Sequence, residues 1–297
     1  MVRPLLCREF QNPEDWGKVL SMLEDEFADI IKKARAGLGL SLAGAAQSSG
    51  IALSDIKELE SGIRRPTRKE VADIAQTLRL NADKLTAIAC DGWTPAAQNP
   101  SLHQDVTMVL GDIGGYAVKG YLLRDPATNE AAMIDTGYNP ERMLQIIEED
   151  RLKLVAICLT HGHQDHAGGL DAILPRHPVT VYLGEGDWHL LGWKPSAALR
   201  KFPADGEAIK VGAMTVQIIA TPGHTPGGLC YRTEGSMFVG DTLFAGSIGR
   251  SNPSTLYATH LESVHRRLFT LPDETALFPG HGPATTAGEE KAHNPFG

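Results

Sequence analysis

The chain has no apolar run near the ~20 residues that a membrane-spanning helix needs. Residues 1–11 also lack the basic start, long apolar stretch and small-residue cleavage site of a secretory signal. The expectation is a cytoplasmic protein with no membrane partner. Cysteine is scarce: Cys7, Cys90, Cys158 and Cys230 are widely scattered. Cys158 and Cys230 fall in strand-like apolar runs, where buried thiols are common, so they read as structural and not catalytic. Positive charge is short as well, with 28 Lys and Arg against 36 Asp and Glu for a net charge of −8. That balance argues against a general nucleic-acid surface. Repeats and low-complexity tracts are missing too. What remains, at 297 residues, is enough chain for a large core and a second, small domain.

The densest chemistry lies in Thr160-His161-Gly162-His163-Gln164-Asp165-His166-Ala167-Gly168-Gly169, directly after the apolar stretch 154–159. One histidine in a loop would be ordinary. Four metal-competent side chains in six positions make a metal site. Glycine-rich backbone leaving a strand can turn His161 and His163 toward one point and Asp165 and His166 toward another, so one loop can serve two ions. Imidazole with carboxylate suits zinc, with iron or manganese as alternatives, and three protein ligands per ion leave a position for water. Three further candidates each follow a hydrophobic run: His224 after 214–220, Asp241 after 236–240 and His281 after 275–279. Ligands that cap strands can converge at one edge of a sheet. His103, His177, His189, His260, His265 and His293 lack this context and read as surface or packing residues.

The motifs Ile134-Asp135-Thr136-Gly137, His161 to His166, Thr221-Pro222-Gly223-His224-Thr225-Pro226-Gly227-Gly228, Gly240-Asp241-Thr242-Leu243-Phe244 through Gly249-Arg250, and Pro279-Gly280-His281-Gly282-Pro283 come in a fixed order. In order and flanking residues, the region 106–297 resembles the metallo-β-lactamase superfamily, and within it the glyoxalase II-like hydrolases. The resemblance implies an α/β fold, an αββα sandwich with metals at one edge between two sheets. It places His161, His163 and His224 on one zinc ion, and Asp165, His166 and His281 on a second, with Asp241 bridging. Asp135 would hold a ligand histidine or loop backbone in place without ligating. Two ions about 3.5 to 4 Å apart would share a hydroxide that attacks a thioester or a related small ester, with Asp165 orienting it. A thiolate, with a thiol pKa near 8.5, leaves without a strong general acid, and no dedicated acid is evident. The alternative within the fold is a persulfide dioxygenase using one iron held by two histidines and a carboxylate. The chain stops sixteen residues after His281, as in shorter glyoxalase II-like proteins, so a glutathione thioester is one candidate and not a fixed expectation. The segment 185–202, with Trp188, His189, Trp193 and Lys194, either overhangs the metals or simply packs.

Residues 15–91 show helical periodicity instead of strands, with helices expected at 24–36, 41–48, 53–60, 68–80 and 82–89 and N-caps at Ser41, Thr67 and Asn81. Residues 92–105 read as a linker. The run from Gly39-Leu40-Ser41 through Gly50-Ile51 and Ile56 to Gly62 and Arg65-Pro66 resembles the Cro/CI-type (XRE-like) helix-turn-helix family over about 55 residues. The resemblance makes 53–60 the recognition helix and Ser54, Lys57, Arg64 and Arg65 the candidate DNA contacts. The residues depart from that use. Leu53 and Glu58 stand at base-facing positions, Leu42 stands where a phosphate contact is usual, and residues 1–93 carry 13 basic against 14 acidic side chains. A regulator that binds DNA and acts on a metabolite is therefore the less favoured alternative. The preferred expectation is dimerisation or docking, with a homodimer formed through this domain, on the strength of Leu42 and Leu53 at expected surface positions.

Overall fold

The computed structural model describes residues 22–96 and 105–297. The expectations for 1–11, Cys7, the domain start at 15–21, His103 and linker positions 97–104 lie outside them. Five helices come first: α1 (Phe27–Gly37), α2 (Leu42–Ser49), α3 (Leu53–Glu60), α4 (Arg68–Leu78) and α5 (Ala82–Asp91). Ser41, Thr67 and Asn81 each accept a hydrogen bond from a first-turn backbone N–H, supplying a partner for a donor that the helix start leaves open. Helix α1 starts at Phe27 because Glu26 and Asp29 close a reciprocal capping box there. Leu42 is a correction: it is half-buried and packs on the core, whereas Leu53 is 40% exposed.

Two six-stranded sheets follow. The first, in spatial and chain order, is β1 (Val106–Ile113), β2 (Tyr116–Arg124), β3 (Glu130–Thr136), β4 (Lys153–Cys158), β5 (Thr180–Tyr182) and β6 (Arg200–Lys201). It is antiparallel through β3 and parallel from β3 to β6. The second holds β7 (Ala208–Val211), β8 (Met214–Ala220), β9 (Leu229–Thr233), β10 (Ser236–Gly240), β11 (Ala276–Pro279) and β12 (Thr285–Thr286), bonded in reverse of chain order. Sequence patterning misses β6, β7 and β12. Two are only two residues long, and β7 is an edge strand with a lysine in its middle.

Tyr121, Ile134 and Cys158 from one sheet meet Tyr231, Phe238 and Phe278 from the other in a shared core. On the far side of the first sheet lie α6 (Pro140–Glu149), α7 (Gln164–Ala167) and α8 (Leu170–Ile173). Helix α6 is capped by Asn139 with Pro140 at its first position, and it buries Met143, Leu144, Ile146 and Ile147. On the far side of the second sheet are α9 (Tyr257–Ser263), which continues as a π turn through Leu268, and α10 (Ala287–His293).

The front helices join this second outer layer. Ile30, Leu59, Leu78 and Leu85 belong to one apolar cluster with Met237, Val239, Leu243 and Leu268. Polar contacts cross the same boundary. Ser247 Oγ donates to Asp25 at 2.6 Å, Asn81 N donates to Pro295 O at 2.8 Å, and Trp93 stacks on His293 at 4.8 Å between ring centres. The front helices end at Asp91 and the strands begin at Val106, but one apolar core runs through both parts. No helix among the described residues is long and apolar enough to cross a membrane.

Candidate metal centre

Every candidate ligand sits just past the carboxyl end of a strand, where open α/β sheets leave a crevice. The loop after β4 carries His161, His163, Asp165 and His166; Thr221–His224 follows β8, Asp241 follows β10 and His281 follows β11. Close backbone approach makes this convergence tight. A Cβ on Gly280 would lie 2.3 Å from His166 Cε1 and 2.5 Å from Asp241 Oδ1, so only glycine fits there.

Three sets of ligand atoms lie within 4.8 Å of one another: His161, His163 and His224; His161, Asp165 and His166; and His166, Asp241 and His281. His281 Nε2 is also 3.3 Å from Asp165. Asp241 lies between the groups, 3.2 Å from His166 Nε2 on one oxygen and 3.6 Å from His224 Nε2 on the other.

Hydrogen bonds on the far side of each ring fix the tautomers. His166 Nδ1 donates to Asp135 at 2.8 Å, His281 Nδ1 to the Ala117 carbonyl at 2.6 Å, and His224 Nδ1 to the Arg250 carbonyl at 2.7 Å. In the neutral rings, each Nε2 therefore turns a lone pair inward. Those lone pairs face each other and a carboxylate: His224 Nε2 is 3.0 Å from His163 Nδ1, and His166 Nε2 is 3.4 Å from His281 Nε2. His161 Nε2 and Asp241 Oδ1 are buried with no hydrogen-bond partner. Converging acceptors with orphaned atoms call for cations, and this donor set fits divalent metal. The rings' acidities carry the same message. Burial pushes His161 well down and His224 down to about 3, whereas at His166 and His281 burial is outweighed by Asp241 and its neighbours, which raise both. Burial opposes the charge on Asp241, yet His281 and His166 hold it well below the usual carboxylate range.

Asp135 also accepts from Thr160 N and Thr160 Oγ1, each at 2.7 Å, so one buried carboxylate ties β3, the β4 loop and His166 together. It does so from left-handed backbone, at φ 54°.

These sequence and structural features match known proteins. The model of the Metallo-beta-lactamase superfamily matches residues 113–281, more than half of the chain. The chain belongs to the metallo-beta-lactamase superfamily. A helix-turn-helix family model matches residues 31–85. Among relatives of this superfamily member, the hydroxyacylglutathione hydrolase GloC of Haemophilus influenzae is 37% identical over 183 residues, 56% of this chain and 86% of its own. The solved BLEG-1 B3 metallo-beta-lactamase is 30% identical at a TM-score of 0.58, over 64% of this chain and 99% of that one. ETHE1 from Myxococcus xanthus is also 30% identical, at a TM-score of 0.55, over 64% of this chain and 83% of that one.

The metallo-beta-lactamase region contains residues that sequence patterning passed over. Asp187 is fully buried and accepts from Gly162 N, Thr225 Oγ1 and Gly227 N, so it clamps the β4 loop to the His224 loop. In the sequence it is marked by no more than its place in the segment 185–202, beside Trp188. Trp188 itself packs on the core and carries Arg200 over its ring at 4.6 Å, while Trp193 is 44% exposed. Buried Lys119 bonds the Gly282 carbonyl, anchoring the His281 loop, and burial lowers its ammonium to about 8. His260, read as a packing residue, is buried under Gly223 and donates through Nε2 to the Thr242 carbonyl at 2.8 Å.

In the helix-turn-helix domain, Ser54 and Lys57 are exposed on α3, and Arg65 is exposed beyond it. Arg64 is drawn inward. It forks onto Glu70 at 2.6 and 3.1 Å and lies 3.3 Å from Glu58 and 3.8 Å from Asp55. Arg68 pairs with Asp91 and Lys69 with Asp73, so the basic cluster is largely neutralised by its own fold.

Proposed function

We propose that this protein is a two-metal hydrolase of thioesters, with His161, His163 and His224 holding one ion, Asp165, His166 and His281 the other, and Asp241 between them. The observation that carries this reading is the inward lone pairs of three tautomer-fixed histidines meeting at Asp241. Bound there, divalent ions would supply Lewis acidity and water ionised near neutral pH. The protein's own groups do the rest. Asp135 and the Ala117 and Arg250 carbonyls set the rings, and Asp165, about a quarter exposed, is placed to orient water. Among the described residues no Asp or Glu lines the cavity at His163 and His224, and a thiolate leaving group needs no such acid. The relationship to GloC supports the same substrate class and makes glutathione thioesters the first to try.

Zinc is the metal we favour, with iron and manganese as alternatives. Plasma mass spectrometry on protein purified anaerobically without added metal, followed by a thioester panel that includes lactoylglutathione, tests both points. About two zinc ions per chain with thioester turnover is the expected result. Close to one iron per chain, with oxygen uptake on glutathione persulfide, would replace this reading with a persulfide dioxygenase.

For the helix-turn-helix domain we infer docking and not DNA reading, because Arg64 is spent on carboxylates and the domain's core is shared with the second sheet. A salt-dependent gel shift that survives nonspecific competitor would overturn this. The homodimer expected through this domain is a matter for gel filtration, with Leu53 and Ile63 among the apolar side chains left exposed on it.

A further inference from the structure

Helix α1 of the front domain borders the candidate ligands His163 and His224. A cavity of about 510 Å³ is lined by His163, His224 and Arg250 on one side and by Lys33, Ala36 and Gly37 of α1 on the other. We propose that the helix-turn-helix domain completes the substrate site, and that Lys33, with Arg250 opposite, selects thioesters carrying a carboxylate. This rests on the thioester reading above.

The cavity differs in charge from the rest of the protein. The chain has 36 acidic against 28 basic residues, yet among the described residues two cations and no Asp or Glu line this cavity. Asp25 balances Lys33 from behind, so an anion entering the cavity meets the unpaired charge of Arg250 and the remaining N–H of Lys33, screened least where the wall is buried.

The two cations are held differently. Lys33 has three ammonium protons to donate. Asp25 takes one and the Ile248 carbonyl, at 2.9 Å, another, which leaves one for a ligand. Asp25 is itself shared with Ser247 Oγ at 2.6 Å. The ammonium also lies 4.9 Å from the centre of the Phe244 ring, so the side chain is held in place before anything binds. Arg250 is exposed, and its guanidinium has no hydrogen-bond or ion-pair partner among the described residues, while its carbonyl positions His224. One cation is thus fixed, and the other is free to close on a carboxylate.

The wall is also closely packed. The C-terminal turn of α1 lies so close to Tyr257 that a Cβ on Gly37 would be 2.2 Å from the ring. A helix seated this tightly, with Asp25 and Lys33 bonded to the 247–248 backbone and side chain, is a fixed boundary of the site and not a tethered neighbour.

The test compares full-length wild-type, Lys33→Met, Lys33→Arg and Ala36→Phe proteins. The substrates are a glutathione thioester and the same acyl group on uncharged N-acetylcysteamine. Calorimetric binding of S-methylglutathione, which cannot be hydrolysed, is measured alongside. Losing one charge-assisted hydrogen bond, about 1.4 kcal/mol or more, corresponds to about tenfold. In Lys33→Met the preference for the glutathione thioester should fall about tenfold through KM, S-methylglutathione should weaken by a similar factor, and Lys33→Arg should restore most of both. Ala36→Phe leaves the Lys33 pairings intact and should block both substrates by filling the cavity. Equal effects of Lys33→Met on the two substrates, or unaltered turnover in Ala36→Phe, would overturn the proposal. If the wild type hydrolyses neither substrate but binds S-methylglutathione through Lys33, the thioester reading fails and the recognition wall stands.

Discussion

Replacing Asp187 with alanine should loosen one metal and spare the other. Its Oδ2 accepts from Gly162 N at 3.1 Å and Thr225 Oγ1 at 2.6 Å, and its Oδ1 accepts from Gly227 N at 2.7 Å. Gly162 stands between His161 and His163, and Thr225 follows His224, so all three bonds serve the same histidine set. Alanine would leave three buried donors without acceptors, at about 1–3 kcal/mol each. Part of that is offset because a carboxylate no longer has to be desolvated, so the net loss should be about 3 kcal/mol. Little relaxation is available: a Cβ on Gly227 would lie 2.7 Å from Asp187 N, and one on Gly162 would lie 2.5 Å from Asp187 O. Outer hydrogen bonds of this kind typically govern metal affinity by about 10–100-fold. Chelator competition should therefore show the weaker site at His161, His163 and His224, with stoichiometry falling toward one ion. Melting of the metal-free protein should fall as well. Affinity within about threefold of wild type, with unchanged melting in chelator, would refute the clamp.

Changing Asp241 to alanine should remove metal and turnover together, because its two oxygens face both histidine groups; retained activity with bound metal would sink that assignment. Gly37→Ala should destabilise by about 1–3 kcal/mol in thermal or urea unfolding, since the new methyl meets the Tyr257 ring. In an open helix the same change would normally stabilise, so the sign alone is diagnostic. Burial raises Glu290 from 4.5 to about 7, so the folded state holds its proton longer than the unfolded chain does. Stability should accordingly fall as pH rises from about 4.5 to 7, by about 3 kcal/mol, and level off above that. In Glu290→Gln this part of the pH dependence should vanish from urea titrations run at pH 5, 6, 7 and 8.

Much of this protein was legible in the sequence because the relevant physics is local. The ligand run His161 to His166, the strand before it and the caps at Ser41, Thr67 and Asn81 depend on residues a few positions apart. Helix α6 likewise follows local signals, with Asn139 and Pro140 at its start and Met143, Leu144, Ile146 and Ile147 along its buried face. The two family resemblances needed only ordered motifs, and both families are present. Short edge strands such as β6 and β12 left no periodicity to detect. The rest required long-range packing. Asp187 matters through Gly162, Thr225 and Gly227, which are 25 to 40 positions away. Leu42 is half-buried because it packs on the apolar cluster, a contact that local spacing does not reveal. Lys33 lies more than two hundred residues from Ile248, and only the docking of α1 on Tyr257 brings it to the cavity at His224. By itself the sequence determined which residues can bind metal and which segments fold alike, because those follow from side-chain chemistry and short-range spacing. That Asp187 clamps two ligand loops, and that Lys33, Ala36 and Gly37 line a cavity with His163 and His224, were decided by the tertiary structure, because contacts between distant segments exist only once both layers are packed.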